Sequence, residues 1–530
     1  MQRLLALLVG AAGLMLATTA NAQTTYTEDE FSSIEANMNA ALDAFETQEI
    51  FAPGYVVVVA TADGHSWIRA GGVLRVGRDM PTFPTSEFYI ASMTKAYMGL
   101  LAAHLDEQGV LPLDATLADC WPDLLVPGDV PADQITLRDL ITHQIPIEVD
   151  EIVSTEAYFR DLSPGEYPHY IETYGVPRAP GFQYDNLGYN IYGAILEQVT
   201  GRNWRDWLNE VIFEPNGMDG TSGRVTDFDT DTIAWGHQID TGIAPVWPTA
   251  EGWYLIPPKT DGMMQAAGGL MTTAEDFATW LRMNLTHEAI GIDAAVFAEA
   301  QMQHVAQEGD GHGFSDEGYA YGWNNAILIH DRPDASGEIP APTNLLQHGG
   351  GYTGFASLIT FAPELGIGVA VAFNTDSVIN FAGLVISKQV FELAIGIEGT
   401  EEAIQNRVAT FASYEVRLRD ARIARMTGAL ANERWGDGGW SPDTAALDAF
   451  VGRYEGNSWI PYVEITRDGE ILHAQVFDAQ RYVVPVSQDI FTGIRDGSSA
   501  PEFLHFRRDE NGNITGLLWD DDEFTRVPAY

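Results

Sequence analysis

The sequence predicts an α+β fold, in which helices flank an antiparallel sheet and also form a mostly helical subdomain, followed by a small all-β domain. Strand-like segments open and close the first part of the chain, and helical periodicity dominates between them. From residue 446 onward, short strand-like runs alternate with Asp-Gly and Asn-Gly turns, as in a small barrel or sandwich. The 530 residues also exceed one ordinary core, so two or more units are expected.

The elements of the first part follow from hydrophobic periodicity, turn residues and helix caps. The sheet is expected to pair strands near the start of the chain with strands near residue 370. In chain order the predicted elements are a helix (30–45), a strand (55–64) with a hairpin partner, a helix (93–106), a helix-and-loop region (110–265), a helix (273–285), strands within 319–375 and a closing helix (380–396).

The N-terminal 22 residues are typical of a signal peptide. Arg3 supplies a positive start, an apolar run follows, and small residues precede a cleavage point near Ala22. The protein is therefore expected to be exported, to the periplasm or beyond, with no integral membrane span. The expected segments are this signal peptide (1–22), the main α+β domain (23–399), a linker (400–445) and a β-barrel-like domain (446–530).

The charge of the chain excludes one class of partner. Acidic residues outnumber basic ones by 75 to 28, which gives a net charge of -47. Such a field repels phosphate backbones, so nucleic acid is not an expected partner. A single cysteine, Cys120, excludes an internal disulfide.

Lys95 is one of only three lysines, with Lys259 and Lys388, and it follows Ser92 by three residues. On a helix the two side chains share one face, and the helix N-terminus favours a serine alkoxide. The neighbouring residues are apolar, and a desolvated lysine can have a lowered pKa and accept the serine proton. The alternative is a helix cap beside a surface lysine, which the scarcity of lysine and the apolar setting disfavour.

Two further constellations follow along the chain. Tyr184 and Asn186 stand two apart, where a phenol could act as a base and an amide could hold a substrate carbonyl. The other interpretation is a simple turn before an amphipathic helix. His348 then begins a run of Gly349, Gly350 and Gly351 on a predicted strand, where a substrate backbone could approach closely and free N–H groups could stabilise an oxyanion.

Taken in order, Ser92-x-x-Lys95, Tyr184-x-Asn186 and His348-Gly-Gly resemble the three motifs of the serine β-lactamase and penicillin-binding-protein superfamily. The similarity is to its class C-like branch, which includes family VIII esterases, D-aminopeptidases and related peptidases. It covers about residues 30–398 and includes the connecting stretches "ITLRDLITH", "FEPNGM", "AAGGLMTTAEDFATWL" and "GYAYGWN". The resemblance implies a β-lactamase-like fold for the main domain and an acyl-enzyme mechanism without a cofactor or metal.

The same resemblance implies a role for each matching residue. Ser92 would be the nucleophile, Lys95 its proton partner and Tyr184 the general base. Asn186 would contact the substrate amide and Lys95, and His348 takes the first position of a motif that usually reads Lys-Thr-Gly. The N–H groups of Ser92 and Gly351 would form the oxyanion hole.

The third motif departs from the family pattern. A lysine at position 348 would anchor a substrate carboxylate, whereas histidine is neutral near pH 7 at its unperturbed pKa. Histidine at this position therefore favours a serine hydrolase whose substrates are small-molecule esters or amides, or short peptides. The alternatives are a β-lactamase, a D-Ala-D-Ala carboxypeptidase or a penicillin-binding sensor without turnover. The loop after His143, "QIPIEVD", also departs from the usual Thr-Ser-Gly, which predicts an altered pocket.

Two features stay open at the level of sequence. The aromatic insert 244–258 could wall the pocket through Trp247 and Trp253, or its rings could simply pack the loop. His-Gly-Gly-Gly also occurs in the oxyanion loop of α/β-hydrolases, but that fold needs a downstream Gly-x-Ser-x-Gly, which this chain lacks. The oligomeric state is not predicted.

Overall fold

The computed structural model describes residues 24–48, 51–240, 249–311, 314–376, 379–430, 440, 442–493, 502–519 and 522–528. The expected signal peptide and Trp247 lie outside these residues. No helix in the part described is both long and apolar enough to cross a membrane.

Fourteen α-helices occur in the described residues, together with short 3-10 turns and a π-helical turn at Asn209–Phe213. In chain order the helices are α1 (Glu28–Glu46), α2 (Thr94–Glu107), α3 (Leu117–Cys120), α4 (Leu137–Ile141), α5 (Asp150–Tyr158), α6 (Tyr167–Tyr174), α7 (Leu187–Thr200), α8 (Trp204–Leu208), α9 (Gln265–Gly268), α10 (Ala274–Thr286), α11 (Ala294–Gln301), α12 (Ile379–Ala394), α13 (Glu401–Leu430) and α14 (Thr444–Asp448).

The strands of the same residues fall into the main domain and the C-terminal domain. Those of the main domain are β1 (Gly54–Thr61), β2 (Ser66–Gly72), β3 (Phe88–Tyr89), β4 (Ile147–Glu148), β5 (Val176–Pro177), β6 (Gly236–Ile239), β7 (Thr249–Ala250), β8 (Trp253–Ile256), β9 (Met271–Thr272), β10 (Val305–Gly311), β11 (Phe314–Tyr319), β12 (Asn324–Leu328), β13 (Thr343–Tyr352), β14 (Phe355–Ala362) and β15 (Ile367–Phe373). Those of the C-terminal domain are β16 (Gly452–Gly456), β17 (Tyr462–Asp468), β18 (Ile471–Val476), β19 (Ala479–Ser487), β20 (Ile490–Gly493), β21 (Glu502–Arg508), β22 (Ile514–Trp519) and β23 (Asp522–Arg526).

The main sheet has eight antiparallel strands in the order β10-β11-β12-β13-β14-β15-β1-β2. β1, the first of these strands in the chain, pairs with β15, the last, and also with β2, so that Val58 lies opposite both Ala370 and Ile68. The predicted pairing of early with late strands is therefore confirmed.

Every residue of β1 is buried, because helices cover both faces of the sheet. Val56 and Val58 face the core shared with α2 and α10, whereas Val57 and Val59 face the core shared with α1 and α12. This alternation follows from the two-residue period of a strand, and it explains why the sequence reads as a continuous run of valines.

The connection from the main domain to the C-terminal domain contains α13. Ile404, Val408 and Phe411 in its first half are buried in the core formed with α1 and α12. The last eight strands then close into a barrel in sequence order, around a core that includes Phe450, Phe491 and Phe506. An α+β domain followed by an all-β domain is thus confirmed, and of the two all-β forms expected it is the barrel that occurs.

Candidate active site

Ser92 lies in a 3-10 turn, Ala91–Met93, that leads directly into α2. The turn is held by β3, which pairs with β9, and by a hydrogen bond from the Ile90 amide to the Leu270 carbonyl at 3.1 Å. Ala91 has φ of 46°, a left-handed conformation that costs energy for a residue with a side chain. The turn presents a partly exposed Ser92 at the positive end of a 14-residue helix.

Lys95 is completely buried one turn further along α2. Its Nζ lies 3.2 Å from Ser92 Oγ, 2.8 Å from Asn186 Oδ1 and 2.8 Å from the carbonyl oxygen of Ala267. Burial lowers the pKa of this amine to about 7, and the negative charge of Asp185 opposes the shift only partly. Near neutral pH a substantial fraction of Lys95 can therefore accept a proton.

Tyr184 and Asn186 stand where α7 begins. Tyr184 is 46% exposed, yet its hydroxyl is enclosed and lies near enough to Ser92 for the serine to affect its pKa. Its ring centroid lies 5.0 Å from Lys95 Nζ. Burial of the hydroxyl raises its pKa above the ordinary value of 10.0, more than the nearby Ser92 lowers it. The phenol is consequently protonated at neutral pH, which differs from the phenolate considered from sequence.

His348 is buried on β13 and does not act as a surface charge. Its Nδ1 lies 2.7 Å from the Gly349 carbonyl, which can only accept, so Nε2 accepts from the Tyr319 hydroxyl at 3.2 Å. Burial, together with the charge of Lys95, lowers the pKa of His348 to about 3. The ring is therefore neutral across the physiological range.

The three glycines after His348 have different surroundings. A Cβ on Gly350 would lie 2.0 Å from the Ile90 carbonyl oxygen and 2.4 Å from Ser357 Oγ, which donates to that carbonyl at 2.8 Å. A Cβ on Gly351 would have no atom within 4 Å, and one on Gly349 would make only ordinary contacts. Gly350 thus allows β13 to approach the Ser92 turn, with Gly351 next to it facing open space.

His143 also belongs to this cluster, although the sequence analysis gave it no role. It is fully buried with φ of 58°, and its ring centroid lies 4.5 Å from that of Tyr184. Its Nδ1 accepts from the Asp185 amide at 3.3 Å, and its Nε2 has no hydrogen-bond partner among the described residues. Burial and the charge of Lys95 lower its pKa well below 6.5. The altered loop that follows it was the available signal in the sequence.

Backbone atoms complete the setting of Lys95. The peptide of Ala267, in α9, offers its carbonyl to Lys95, and its amide donates to Asn190 Oδ1 at 3.1 Å. A backbone acceptor has no residue type to identify it, so no sequence motif could have indicated this contact.

The aromatic insert is described only in part. Trp253 is half-buried on β8, and its ring contacts His237 at 6.2 Å between centroids. A role for Trp253 in walling a pocket stays a prediction, as does the same role for Trp247.

Comparison with known proteins agrees with this geometry. A model of the Beta-lactamase family matches residues 42–383, more than half of the chain. An unguisins hydrolase of Aspergillus campestris is 22% identical over 87% of this chain and 86% of its own length. Penicillin-binding protein 4 of Amycolatopsis lactamdurans is 26% identical over 64% of this chain and 87% of its own length.

Two solved structures share the fold. The octameric penicillin-binding protein homologue from Pyrococcus abyssi has a TM-score of 0.54 at 20% identity, over 94% of this chain and 100% of that one. D-amino acid amidase from Ochrobactrum anthropi in complex with D-phenylalanine has a TM-score of 0.53 at 20% identity, over 73% of this chain and 99% of that one. Together with the extent of the family match, these likenesses lead to one conclusion: this chain belongs to the beta-lactamase family and is a serine hydrolase of that family.

Proposed function

We propose that this protein hydrolyses ester or amide bonds through an acyl-enzyme on Ser92, and that it acts as an esterase, amidase or peptidase. The observation that carries the proposal is the contact between Lys95 Nζ and Ser92 Oγ at 3.2 Å, within a site where burial lowers the pKa of the amine to about 7. A neutral amine at that distance can take the serine proton as the nucleophile attacks.

The steps follow from the positions of three side chains. As Ser92 Oγ bonds to the substrate carbonyl carbon, its proton passes to Lys95, with the Tyr184 hydroxyl close to the same oxygen. The proton then returns through Tyr184 to the leaving group, whose bond to carbon breaks. Water then attacks the acyl carbon and gives up a proton to Lys95. The bond between that carbon and Ser92 Oγ breaks, and the acid is released as Ser92 regains its proton.

The N–H groups of Ser92 and Gly351 are proposed to bind the oxyanion. Gly350 brings β13 against the Ser92 turn, and the open space beside Gly351 leaves room for a substrate carbonyl. Donors fixed in the backbone stabilise the developing charge without reorganisation, which is why such a site accelerates acyl transfer.

His348 supports the choice among substrates. A neutral, buried imidazole whose ring nitrogens are both engaged cannot grip a carboxylate on the leaving-group side as a lysine would. This disfavours substrates that depend on such an anchor, as the alternatives of β-lactamase and D-Ala-D-Ala carboxypeptidase would. The names of two similar proteins, a hydrolase of unguisins and a D-amino acid amidase, agree with amide or peptide substrates.

One set of assays tests the proposal. Purified wild-type protein and Ser92→Ala are compared for labelling by a fluorophosphonate and for hydrolysis of p-nitrophenyl esters, amino-acid anilides of both configurations and a chromogenic β-lactam. We expect labelling and turnover of esters or anilides by the wild type alone, and a drop of about a thousandfold or more in Ser92→Ala.

Each other result has a definite meaning. Absence of both label and turnover in the wild type contradicts the enzyme proposal. Label without release of product indicates a penicillin-binding sensor, and a β-lactam rate far above all others contradicts the argument from His348.

A further inference from the structure

Lys259 is a second buried lysine, and the mechanism above does not use it. It lies between β8 and α9, and only 5% of its surface is exposed although Pro257 and Thr260 beside it are exposed. Its side chain turns inward, with Nζ 5.8 Å from the ring centroid of Tyr89. Because Tyr89 precedes Ser92 by three residues, the amine lies behind the Tyr89 ring, near the turn that carries Ser92.

The Lys259 amine has no counter-ion in the part of the chain that the structure describes. Its hydrogen bond there is a long one of 3.5 Å to the carbonyl of the adjacent Thr260. The nearby carboxylate of Asp261 is committed elsewhere, since its oxygens accept from the Val225 amide at 2.5 Å and the Thr226 hydroxyl at 2.6 Å. A buried ammonium without an anionic partner is costly, so an arriving anion would be bound favourably.

The neighbouring charged groups leave the Lys259 amine available to a further partner. Burial first, and then the positive charge of Arg205, lower the pKa of Lys259 to about 7, while Asp261 opposes the shift. Arg205 itself is engaged, because it donates to the Asp261 carbonyl at 2.7 Å and to Gln265 Oε1 at 2.5 Å. Lys259 is therefore the cation of this group that has capacity for a further partner.

The direction of β13 indicates which part of a substrate would reach this region. At the His348 end, the ring of Tyr184 lies 6.0 Å from the imidazole, so the leaving group that receives a proton through Tyr184 faces that end. At the other end, directly after Gly351, the ring of Tyr352 lies 5.3 Å from that of Tyr89. The acyl substituent then extends towards Tyr352 and Tyr89, the side on which Lys259 lies.

The walls of this region suit a short carbon chain. Tyr352 stacks on Tyr158 with centroids 5.9 Å apart, and its hydroxyl contacts the sulfur of Met263 at 4.0 Å. Both tyrosines and Met263 are partly exposed, so a ligand could contact the apolar surface that they form in front of the buried Tyr89. An acyl group with an apolar chain and a terminal anion would match an apolar wall followed by the amine of Lys259.

We propose that Lys259 is an acyl-side binding residue that pairs with a carboxylate carried by the acyl part of the substrate, such as a monoester or monoamide of a short dicarboxylic acid. The assignment rests on the proposed function, because it takes its direction from the acyl-enzyme on Ser92. It places the anion on the side opposite to the carboxylate anchor that the third motif lacks.

The test uses two esters of equal chain length on the full protein. p-Nitrophenyl hydrogen glutarate and p-nitrophenyl pentanoate differ only in a terminal carboxylate in place of a methyl group. In Lys259→Met we expect kcat/KM for the glutarate ester to fall about tenfold, mainly through KM, with the pentanoate value within about twofold of wild type. Lys259→Arg keeps a cation and should retain most of the preference for glutarate.

Lys388→Met is the matched control, since Lys388 pairs with Asp331 at 3.1 Å on another face and its loss should leave the ratio of the two esters unchanged. An unchanged ratio in Lys259→Met, or an equal fall with both esters, overturns the assignment while hydrolysis of pentanoate sustains the proposed function. Wild-type protein that cleaves neither ester overturns the assignment. If it also takes no fluorophosphonate label and cleaves no anilide, the proposed function is overturned as well.

Discussion

Lys95 is fully buried, which opposes a positive charge on its amine, and three acceptors lie within 3.2 Å of Nζ. The three acceptors hold Nζ in place, whereas burial makes its proton easy to lose. The same enclosure keeps the Tyr184 phenol protonated. Near pH 7 a substantial fraction of the molecules therefore holds two neutral groups beside Ser92 Oγ.

A pH profile follows from this state. Lys95 must be deprotonated to accept the serine proton, so kcat/KM for a neutral ester should be low in acid and rise through a pKa of about 7 to a plateau. Lys95→Arg should lower kcat/KM about a thousandfold at every pH, because a guanidinium stays protonated. Steady-state hydrolysis of p-nitrophenyl pentanoate between about pH 5 and 9 measures the wild-type profile and the loss in Lys95→Arg.

Lys388→Arg serves as the control for this substitution, since that lysine lies on α12 and pairs with Asp331 and, more distantly, with the buried Glu392. It should match the wild type at each pH. A flat wild-type profile, or an active Lys95→Arg, would show that another group accepts the proton.

At the scale of elements, the contact between β13 and the Ser92 turn fixes the site. β13 contributes Gly350 opposite Ser357, and Ser357 ties its own strand to the Ile90 carbonyl. Two strands of the main sheet are thus joined to the turn that carries the serine. The separation tolerates no side chain at position 350.

Gly350→Ala should push β13 away from the turn, since its methyl group would lie 2.0 Å from the Ile90 carbonyl oxygen. We expect a loss of about 1–3 kcal/mol in the free energy of unfolding and about a hundredfold in kcat/KM. Gly351→Ala is the matched control, because its methyl group would meet nothing within 4 Å, and its stability should stay within about 0.5 kcal/mol of wild type. Chemical denaturation of both variants measures the difference, and equal stabilities would refute the close contact.

At the scale of the whole molecule, the barrel packs on the main domain beside the site. Phe159, just after α5, is 3% exposed and belongs to the barrel core, with ring centroids 5.5 Å from Trp459 and 6.4 Å from Phe477. The guanidinium of Arg481 lies 4.5 Å above its ring. Its neighbour Tyr158 stacks on Tyr352, so the barrel contact is continuous with the wall of the acyl side.

Phe159→Ala should weaken the contact between the two domains, since among the described residues Phe159 is the main-domain ring that is fully buried in the barrel core. A loss of about 3–5 kcal/mol is expected for a fully buried phenylalanine, seen as a lower thermal midpoint. Phe83→Ala truncates a ring that is 56% exposed and should change stability by less than about 0.5 kcal/mol. Identical midpoints for the two variants would show that the contact between the domains does not contribute to stability.

Much of the architecture was predictable because it rests on local patterns. Local structure can be predicted from neighbouring residues alone for the valine run of β1, the turns of the barrel and the caps of the helices. Ser92, Lys95, Tyr184, Asn186 and His348 were likewise found by residue type and order, and the structure brings these five together.

Other features of the site depend on contacts between residues far apart in the chain. His143 beside Tyr184, the Ala267 carbonyl on Lys95 and the amine of Lys259 behind Tyr89 have no spacing that a sequence pattern could register. The protonation states also depend on such contacts, because burial by residues from several elements sets the pKa of Lys95, Tyr184 and His348.

The sequence by itself determined which residues are available for chemistry. The hydroxyl, amine, phenol and amide groups are fixed by residue type, and the three motifs present them in order along the chain. Only the tertiary structure decided which of them lie enclosed beside Ser92 and in which direction their pKa values shift. Solvent exclusion and distance set those outcomes, and both arise when β13, α2, α7 and the segment from β8 to α9 pack around Ser92.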